Sequence, residues 1–179
     1  MNHQRVIGAI AAMTADHVIG LDRNLPWKYS EDLQRFKKRT LNTTVIMGRL
    51  TYESINKRPL PDRRNLVVSR SLNANSEGAS AQMEFFDSLE SALLASAEEK
   101  TWVIGGGQIY TLAMPYLTLL DITYVPDHID DPAAVRFPRI EDAIWQAGPE
   151  TTVGPQLKNR IYTRHPDFPA MTIDGSHGD

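Results

Sequence analysis

A run of three glycines, Gly105-Gly106-Gly107, is the first feature of the sequence that could bind a ligand. It lies between an apolar segment, TWVI, and a segment with a helical pattern. Because glycine has no side chain, backbone N–H groups at the start of a helix lie open there, and a phosphate could approach closely. The run is neither a Walker loop, since no Lys-Ser/Thr pair follows, nor the spaced G-x-G-x-x-G fingerprint. A phosphate site and a plain turn both remain compatible with the pattern.

Asp32 is a second candidate, an acid in the first turn of a segment with helical character. An acid in this position commonly faces water and interacts with the helix dipole. Here it also lies close to an apolar stripe of Leu33 and Phe36, just after Trp27. A carboxylate beside an apolar face could accept hydrogen bonds from an amidine-like edge of a ligand. The pattern alone leaves both interpretations open.

Several arginines could bind anionic groups. Arg49 follows the apolar segment VIMG and could bind a phosphate, whereas Arg63 follows the Pro59/Pro61 turn and could bind a carboxylate through two parallel hydrogen bonds. Nine basic and two acidic residues lie between positions 37 and 70, a local charge of +7 in a chain of net charge −3, which leaves −10 elsewhere. Such an excess concentrates an anionic ligand, although a solvated basic surface has the same composition.

Other chemistries find little support. The chain has no cysteine, which excludes disulfides, thiolate catalysis and cysteine metal sites. No G-x-S-x-G nucleophile motif occurs. The acidic net charge and the isolated tryptophans argue against nucleic-acid binding, and no apolar run reaches the ~20 residues of a membrane span. We expect a cytoplasmic monomer. We also expect no metal site, because no ligand spacing links the histidines, which are His3, His17, His128, His165 and His177.

The elements that must position these residues alternate between strands and helices. Apolar segments predict strands at 6–13, 44–47, 65–69, 83–86, 101–104 and 119–125, and an edge strand at 157–163. Helical patterns lie at 30–39, 49–55, 88–99 and 108–114. Ser30 is the predicted N-cap of the first helix, and Asp87 and Glu90 form a predicted capping box for the third. The long polar segment 14–27 is a candidate lid.

The fold class follows from this alternation and from the composition. The 179 residues, 41% hydrophobic and 23% charged, suit one compact domain. The pattern predicts an α/β domain with a mostly parallel central sheet, helices on both faces and an antiparallel C-terminal strand. Residues 166–179 are expected to form a loosely ordered tail after a domain that spans 1–165.

In combination, these segments resemble the dihydrofolate reductase family. The run IAAMTADHVIGLDRNLPWKYSEDLQRFKKRTL is similar to the family's first strand, mobile loop, Pro-Trp pair and acid-bearing helix. Later segments of the family are matched, in the same order, by VIMGRLTYESI, RPLPDRRNLVVSR, WVIGGGQIY and LLDITYV. Several long motifs in order are more specific than any single one. The resemblance implies a dihydrofolate reductase-like fold and the NADPH-dependent reduction of dihydrofolate to tetrahydrofolate, which feeds one-carbon and thymidylate metabolism.

The resemblance also implies how the substrate side of the site is built. Asp32 would bind the 2-amino group and the N3 edge of the pteridine, with Thr123 behind the carboxylate and Trp27 fixing a nearby water molecule. Arg63, with Arg58 beside it, would bind the α-carboxylate of the glutamate tail. The apolar walls around the two rings would come from Ile10, Leu33, Phe36, Ile55, Leu60 and Ile104.

For the cofactor side, the resemblance implies NADPH rather than NADH. Ser69 and Arg70 would meet the adenosine 2′-phosphate, and backbone groups of Ala12 and Ile19 would bind the nicotinamide carboxamide. The glycine run would hold the pyrophosphate, and the family often has a cis peptide between the first two glycines of this run. The residues assigned to the rest of the cofactor are Gly20, Asn24, Arg49, Leu50, Thr51, Gly105, Gly106, Gly107, Gln108, Ile109 and Tyr110.

One departure from the family concerns the contact partner of the lid. Members usually carry G-D-x-x-F-P after the strand with the active-site Thr, but this chain has PAAVRFP, so Ala134 stands in the place of the acid. We therefore expect the lid at 14–27 to favour states other than the closed one. Two alternatives to the assignment are a pyrimidine-type reductase of related fold, which generally lacks the Pro-Trp pair, and a non-catalytic pterin- or nucleotide-binding protein.

Overall fold

The computed structural model describes residues 5–22, 24–76, 79–97 and 100–173. Its strands are β1 (Ile7–Met13), β2 (Val18–Gly20), β3 (Thr44–Gly48), β4 (Arg64–Val68), β5 (Met83–Phe86), β6 (Thr101–Val103), β7 (Leu119–Tyr124), β8 (Val135–Arg136), β9 (Trp145–Ala147), β10 (Thr151–Gly154) and β11 (Leu157–Arg164). Its helices are α1 (Ser30–Thr40), α2 (Arg49–Ser54), α3 (Leu89–Ala95) and α4 (Gly107–Ala113), followed by a 3₁₀ turn at Met114–Tyr116. No helix in these ranges is long and apolar enough to cross a membrane.

The main sheet is mixed. Its strand order is β10-β11-β7-β1-β6-β3-β4-β5, and β9 also pairs with β11. All pairs from β7 to β5 are parallel, whereas β11 runs antiparallel to β7, β9 and β10. This confirms the predicted fold class. Because parallel strands end at the same edge, the carboxyl ends of β1, β3, β4, β6 and β7 line one edge, where ligands of open α/β sheets bind.

Two hydrophobic clusters cover the two faces of this sheet. Along β3, Ile46 packs on the face that α3 and α4 cover, whereas Val45 and Met47 pack on the other face with Tyr52 of α2 and Phe36 of α1. Successive side chains of a strand point to opposite faces, so both faces of a central strand are buried here. That burial explains why the central strands are continuous apolar runs in the sequence.

The predicted cap of α1 is wrong by one residue. Tyr29 holds the N-cap position with an extended backbone (φ −119°, ψ 114°), and no side chain caps the helix. The Ser30 hydroxyl instead donates a hydrogen bond to the carboxylate of its neighbour Glu31. An extended Tyr29 already ends the preceding loop, so Ser30 joins the first helical turn.

The predicted capping box of α3 is also wrong. Ser88 is the N-cap, and its hydroxyl accepts a hydrogen bond from the Ser91 N–H, while Asp87 accepts one from the Ser91 hydroxyl. Glu90 lies in the first turn, where it accepts a hydrogen bond from the Tyr116 hydroxyl. Serine and aspartate are equally favourable N-cap residues, so the residue at which the helix begins determines which of the two caps it. The helix ends at Ala95, short of its predicted end, which lies outside the described residues.

The last long strand, β11, is not the edge strand that the sequence predicts. It pairs with β7 on one side and with β9 and β10 on the other. These two partners have three and four residues, too few to show an alternating pattern in the sequence. Beyond β11, the Met171 N–H donates to the Pro115 carbonyl and Ile173 packs against the core. The loosely ordered tail at 166–179 stays a prediction, and residues 174–179 lie outside the described part.

Candidate active site

The carboxyl edge of the sheet brings the predicted acid and the glycine run together. β1 lies between β6 and β7, with Ala9 opposite Val103 and Ala12 opposite Thr123. The glycine run follows β6 directly, and α1 places Asp32 over Thr123 of β7. Both predicted binding elements therefore lie at the same edge of the sheet, on either side of β1.

Asp32 is half-buried, which is the central electrostatic fact of the site. Loss of water around the carboxyl group raises its pKa above the ordinary value. The Thr123 hydroxyl, which donates a hydrogen bond to the carboxylate, and the nearby Arg35 oppose this rise, whereas the charge of Asp121 adds to it. The pKa of Asp32 is thus set by opposing influences, unlike that of an acid on an open surface.

Tyr110 connects the acid to the glycine run. It is buried in α4, and its hydroxyl donates a 2.7 Å hydrogen bond to the Ile10 carbonyl of β1. Burial, and secondly the charge of Asp32, raise the pKa of the phenol, so it stays neutral. A Cβ placed on Gly105 would lie 3.5 Å from that same hydroxyl. Tyr110 therefore borders the glycine run and lies within the electrostatic influence of Asp32.

The residues predicted to wall a substrate pocket mostly share one surface. Leu33 is 47% exposed, and its place in the wall of the pocket stays a prediction. The tightest packing of α1 is at its C-terminal end, where Thr40 is buried. The other five predicted wall residues belong to a single hydrophobic cluster and its margin, and are Ile10, Phe36, Ile55, Leu60 and Ile104.

Arg63 lies at the far end of α1 from Asp32. Its guanidinium donates to the Pro61 carbonyl at 2.9 Å and to the Thr40 hydroxyl at 3.0 Å, and partial burial lowers its pKa. Thr40 follows Asp32 by eight residues in α1, or about 12 Å at the rise of a helix. Arg58 is exposed. The acid and the half-buried guanidinium thus stand at opposite ends of one helix.

The backbone of the glycine run has a conformation that suits glycine. A cis peptide joins Gly105 to Gly106, as the resemblance implied, and Gly105 has a φ of +121°. The Gly105 carbonyl accepts a 2.7 Å hydrogen bond from the Gly48 N–H. A Cβ on Gly106 would meet only the Thr51 hydroxyl, at 3.7 Å, so this part of the backbone has open space beside it.

The lid at 14–27 contacts the glycine run through a small second sheet. Its strand β2 pairs antiparallel with β8, with Val18 opposite Arg136 and Gly20 opposite Val135. A Cβ on Gly107 would lie 2.6 Å from a methyl group of Val135, so β8 packs directly on the glycine run. Trp27, at the end of the lid, is buried in a cluster with Val18.

The contact between the lid and β8 also contains an ion pair in which the acid belongs to the lid. Ala134 offers no carboxylate, but Asp16 of the lid lies 3.5 Å from Arg136 of β8. Both side chains are nearly half exposed, so water and salt weaken the pair. The Thr14 hydroxyl, the largest influence, lowers the pKa of Asp16, and Arg136 contributes to the same direction. The expected preference of the lid for states other than the closed one stays a prediction.

The other residues assigned to the cofactor lie along the same sheet edge at different distances from the glycine run. Arg49 is exposed and pairs with Glu53 at 2.7 Å, and the Ser69 hydroxyl accepts 3.2 Å hydrogen bonds from two following N–H groups. Ser69 and Arg70 follow β4, two strands from β6. Ile19 and Thr51 lie near the glycine run, and Gln108, Ile109 and Tyr110 belong to its helix. The exposed residues of the set are Asn24, Leu50, Arg70 and Gln108.

Sequence reasoning missed a buried ion-pair cluster beside Asp32. Asp121, in the middle of β7, is fully buried and pairs with Arg35 and Arg39 of α1 and with Asn159 of β11. The available signal was an acid inside the apolar segment LLDITYV, because a buried carboxylate requires partners. In the described ranges, no group of three histidine, aspartate or glutamate side chains is placed to hold a metal ion.

Comparison with known proteins decides the family. A family model described as dihydrofolate reductase matches residues 6–165. The chain belongs to the dihydrofolate reductase family. The dihydrofolate reductase of Mycobacterium tuberculosis is 37% identical over 164 residues, which are 89% of this chain and 98% of that relative. The dihydrofolate reductase of Mycobacterium leprae is 44% identical over 127 residues, 69% of this chain and 74% of the relative.

A solved structure agrees with this membership. The dihydrofolate reductase from Enterococcus faecalis complexed with NADP(H) and RAB-propyl matches with a TM-score of 0.76 and 26% identity. The match covers 89% of this chain and 96% of that chain. The family membership and the fold therefore rest on independent comparisons of sequence and structure.

Proposed function

We propose that this dihydrofolate reductase family member reduces 7,8-dihydrofolate to 5,6,7,8-tetrahydrofolate with NADPH, and that Asp32 binds the pteridine. The observation that carries the residue assignment is the placement of Asp32 and Gly105 at one edge of the sheet, where Tyr110 borders Gly105 and the charge of Asp32 acts on the Tyr110 hydroxyl. A half-buried acid on one side and bare backbone on the other suit a heterocycle lying against a nucleotide cofactor.

The residues at the sheet edge fit NADPH. Gly106 leaves beside the backbone a space that a Cβ would occupy, and the Thr51 hydroxyl borders that space. Ser69 and the exposed Arg70 offer a hydroxyl and a cation at the end of β4, a combination that suits a phosphate ester on the adenosine. When bound, NADPH supplies the hydride that is transferred to C6 of the pteridine.

Asp32 orients the pteridine and favours its protonated form. Its carboxylate accepts hydrogen bonds from the 2-amino group and N3, and its negative charge in a half-buried setting favours a cationic ring over a neutral one. Protonation of N5 makes C6 electrophilic. Because the carboxylate holds the opposite edge of the ring, a water molecule beside Trp27 carries the proton to N5. Thr123 keeps the carboxylate in place through its hydrogen bond.

Arg63 binds the other end of the substrate. The separation of about 12 Å along α1 between Asp32 and Thr40, which Arg63 contacts, suits an elongated molecule with a ring at one end and a carboxylate at the other. Partial burial of the guanidinium reduces the screening by water of its attraction to a carboxylate. Phe36, Ile55 and Leu60 provide apolar surface between the two ends.

The experiment is a turnover assay. The protein is mixed with NADPH and dihydrofolate, and the loss of absorbance at 340 nm is followed for the parent and for Asp32→Asn. At neutral pH we expect steady oxidation of NADPH by the parent and strongly reduced oxidation by Asp32→Asn. A pterin-binding protein without activity would quench fluorescence without turnover, and a pyrimidine-type reductase would oxidise NADPH only with a ribosylated pyrimidine. Either result would overturn the proposal.

The proposal extends to the assembly and the place of action. We infer that the chain acts as a monomer in the cytoplasm on small folate-like molecules, without a nucleic-acid partner. The elements that build the proposed site, α1, β1, β6, β7 and the glycine run, all come from one chain. Sedimentation at micromolar concentration, with and without NADPH, is expected to give the mass of a single chain, and a dimer would contradict this inference.

A further inference from the structure

A fully buried carboxylate lies behind Asp32 and has no part in the proposed function. Asp121 precedes Thr123 by two residues in β7, so strand alternation places both side chains on the face of the sheet that α1 covers. Thr123 contacts the Asp32 carboxylate, and the charge of Asp121 acts on that same carboxylate. The buried acid is therefore a neighbour of the proposed catalytic group in the tertiary structure, although 89 positions separate them in the chain.

Three side chains bind the two oxygens of Asp121. The terminal nitrogen Nη2 of Arg35 lies 2.7 Å from Oδ1 and 2.9 Å from Oδ2. Nε of Arg39 lies 2.7 Å from Oδ2, and Nδ2 of Asn159 donates to Oδ1 at 2.8 Å. Both oxygens of the buried carboxylate therefore accept hydrogen bonds, which hold the group in one position.

Three charged residues of the helix opposite Asp121 lie on one face. Asp32, Arg35 and Arg39 are spaced by three and four residues in α1, the spacing at which side chains of a helix are neighbours. Asp32 thus lies over Thr123 and Arg35 over Asp121. Asp32 and Asp121 carry two negative charges, and Arg35 and Arg39 carry two positive ones. The group of four is therefore neutral while Asp32 is ionised, and protonation of Asp32 leaves one excess positive charge.

Arg35 and Asp121 act on Asp32 in opposite directions. The positive charge of Arg35 lowers the pKa of Asp32 and the negative charge of Asp121 raises it, although burial remains the larger influence. The other titratable group facing Asp32 is Tyr110 of α4, which is neutral because burial raises its pKa. Thr123 of β7 is polar but uncharged. Among the described residues packed against Asp32, the ion pair is therefore the charged element.

We propose that Arg35 and Asp121 are positioning residues of the active site: Asp121 fixes Arg35 beside Asp32, and the pair sets how readily Asp32 takes up a proton. The inference rests on the proposed role of Asp32 in binding the pteridine. A buried ion pair gives little net stability relative to apolar residues of the same size, so stability alone is a weak reason for its place beside the site. In contrast, each charge of the pair changes the proton affinity of Asp32 in a direction set by its own sign.

The test is a titration of the Asp32 carboxyl group in the protein without added ligand. The protein is labelled with ¹³C at the side-chain carboxyl of aspartate, and the Asp32 signal is assigned by its absence from Asp32→Asn. We expect the midpoint to rise by about one pH unit in Arg35→Gln and to fall by about one unit in Asp121→Asn. A purely structural pair would move both variants in the same direction or move neither, and either result would overturn the proposal.

Arg39 offers a matched control. Arg39→Gln also removes one positive charge that pairs with Asp121. That charge lies one helical turn farther from Asp32 than the charge of Arg35. We expect a smaller midpoint change than in Arg35→Gln, and Arg35→Lys is expected to restore most of the parent value. Equal changes in Arg35→Gln and Arg39→Gln would contradict a local effect of Arg35.

A second variant keeps the test decisive if the loss of Asp121 alone unfolds the protein. The double variant Asp121→Asn/Arg39→Gln removes one charge of each sign and leaves Arg35 beside Asp32, so the midpoint is expected to fall as in Asp121→Asn. Dihydrofolate turnover is measured in parallel. Absence of turnover in the parent would refute the proposed function and leave the titration unaffected, whereas normal turnover with an unchanged midpoint in all variants would refute only the positioning role.

Discussion

The two halves of the proposed active site are built from different parts of the chain. On the substrate side, charged and polar side chains surround Asp32, and each influences its proton affinity. On the cofactor side, Gly105 to Gly107 present main chain, with open space beside Gly106 and side chains packed closely around Gly105 and Gly107. The first half depends on charge and the second on shape. Substitutions in the first half should therefore change pH dependence, and those in the second should change fit.

The largest expected effect tests the charged half. Asp32→Asn keeps the shape of the side chain but removes the negative charge that favours a protonated pteridine. We expect turnover at pH 7 to fall by about a hundredfold or more, with partial recovery in acid, where more of the substrate is protonated in solution. Steady-state assays at 340 nm between pH 5 and 8 measure the effect, and unchanged activity at pH 7 would refute the role of Asp32.

The stability of the same variant serves as its control. Burial raises the pKa of Asp32 in the folded protein, so this carboxyl group favours folding most below its ordinary pKa of about 4, and that contribution is lost as pH rises through the elevated pKa. Asp32→Asn is therefore expected to unfold in urea at a higher midpoint than the parent at pH 7, with the two midpoints converging in acid. A less stable variant at pH 7 would contradict the burial argument.

The second effect tests the shape-dependent half. Gly106→Ala adds a Cβ whose described contact is the Thr51 hydroxyl at 3.7 Å, an ordinary distance, so the fold itself has room for it. A bound pyrophosphate would compete for that space, and overpacking of about 2 kcal/mol corresponds to a loss of NADPH affinity of about thirtyfold. Fluorescence titration measures this affinity. Unchanged NADPH binding would mean that the cofactor does not contact Gly106.

Dihydrofolate binding separates the two halves in that variant. Gly106 lies on the cofactor side of Tyr110, so Gly106→Ala is expected to leave the dissociation constant of dihydrofolate within about threefold of the parent value. A parallel loss of affinity for both ligands would show that the halves are coupled rather than independent.

A smaller effect is expected from Thr123→Val, which keeps the volume of the side chain but loses the hydrogen bond to Asp32. That hydrogen bond lowers the pKa of the carboxyl group, so its removal should raise the pKa further. A hydrogen bond to a charged group contributes about 1.5 kcal/mol, so dihydrofolate affinity at pH 7 should fall about tenfold. The same substitution should leave NADPH affinity unchanged, and an equal loss for both ligands would argue against a local role.

The smallest effect is expected at the contact between the lid and β8. Asp16→Asn removes the exposed ion pair with Arg136 but leaves the β2–β8 backbone pairing in place. We expect the rate of product release in stopped-flow experiments to change by less than about threefold, and the change to vanish at high salt. Arg136→Gln should behave alike. A tenfold acceleration would show that the ion pair, rather than the strand pairing, holds the lid.

The amino-acid sequence by itself determined the alternation of elements and the candidate residues of both halves. Buried parallel strands such as β1 and β3 must be continuous apolar runs, and a bare glycine run after β6 is visible without a structure. The acid in α1 was visible too, but not its half-buried state, because periodicity identifies a helix face without specifying what covers it.

Only the tertiary structure decided which charges meet and where the last strands pair. Asp121 lies 86 positions from Arg35 and 38 from Asn159 along the chain, and β2 pairs with β8 across more than a hundred positions. No local rule of propensity or spacing relates residues so far apart, because their contact depends on how whole elements pack on the sheet. The raised pKa of Asp32 is a product of that packing, and so is the ion pair proposed to adjust it.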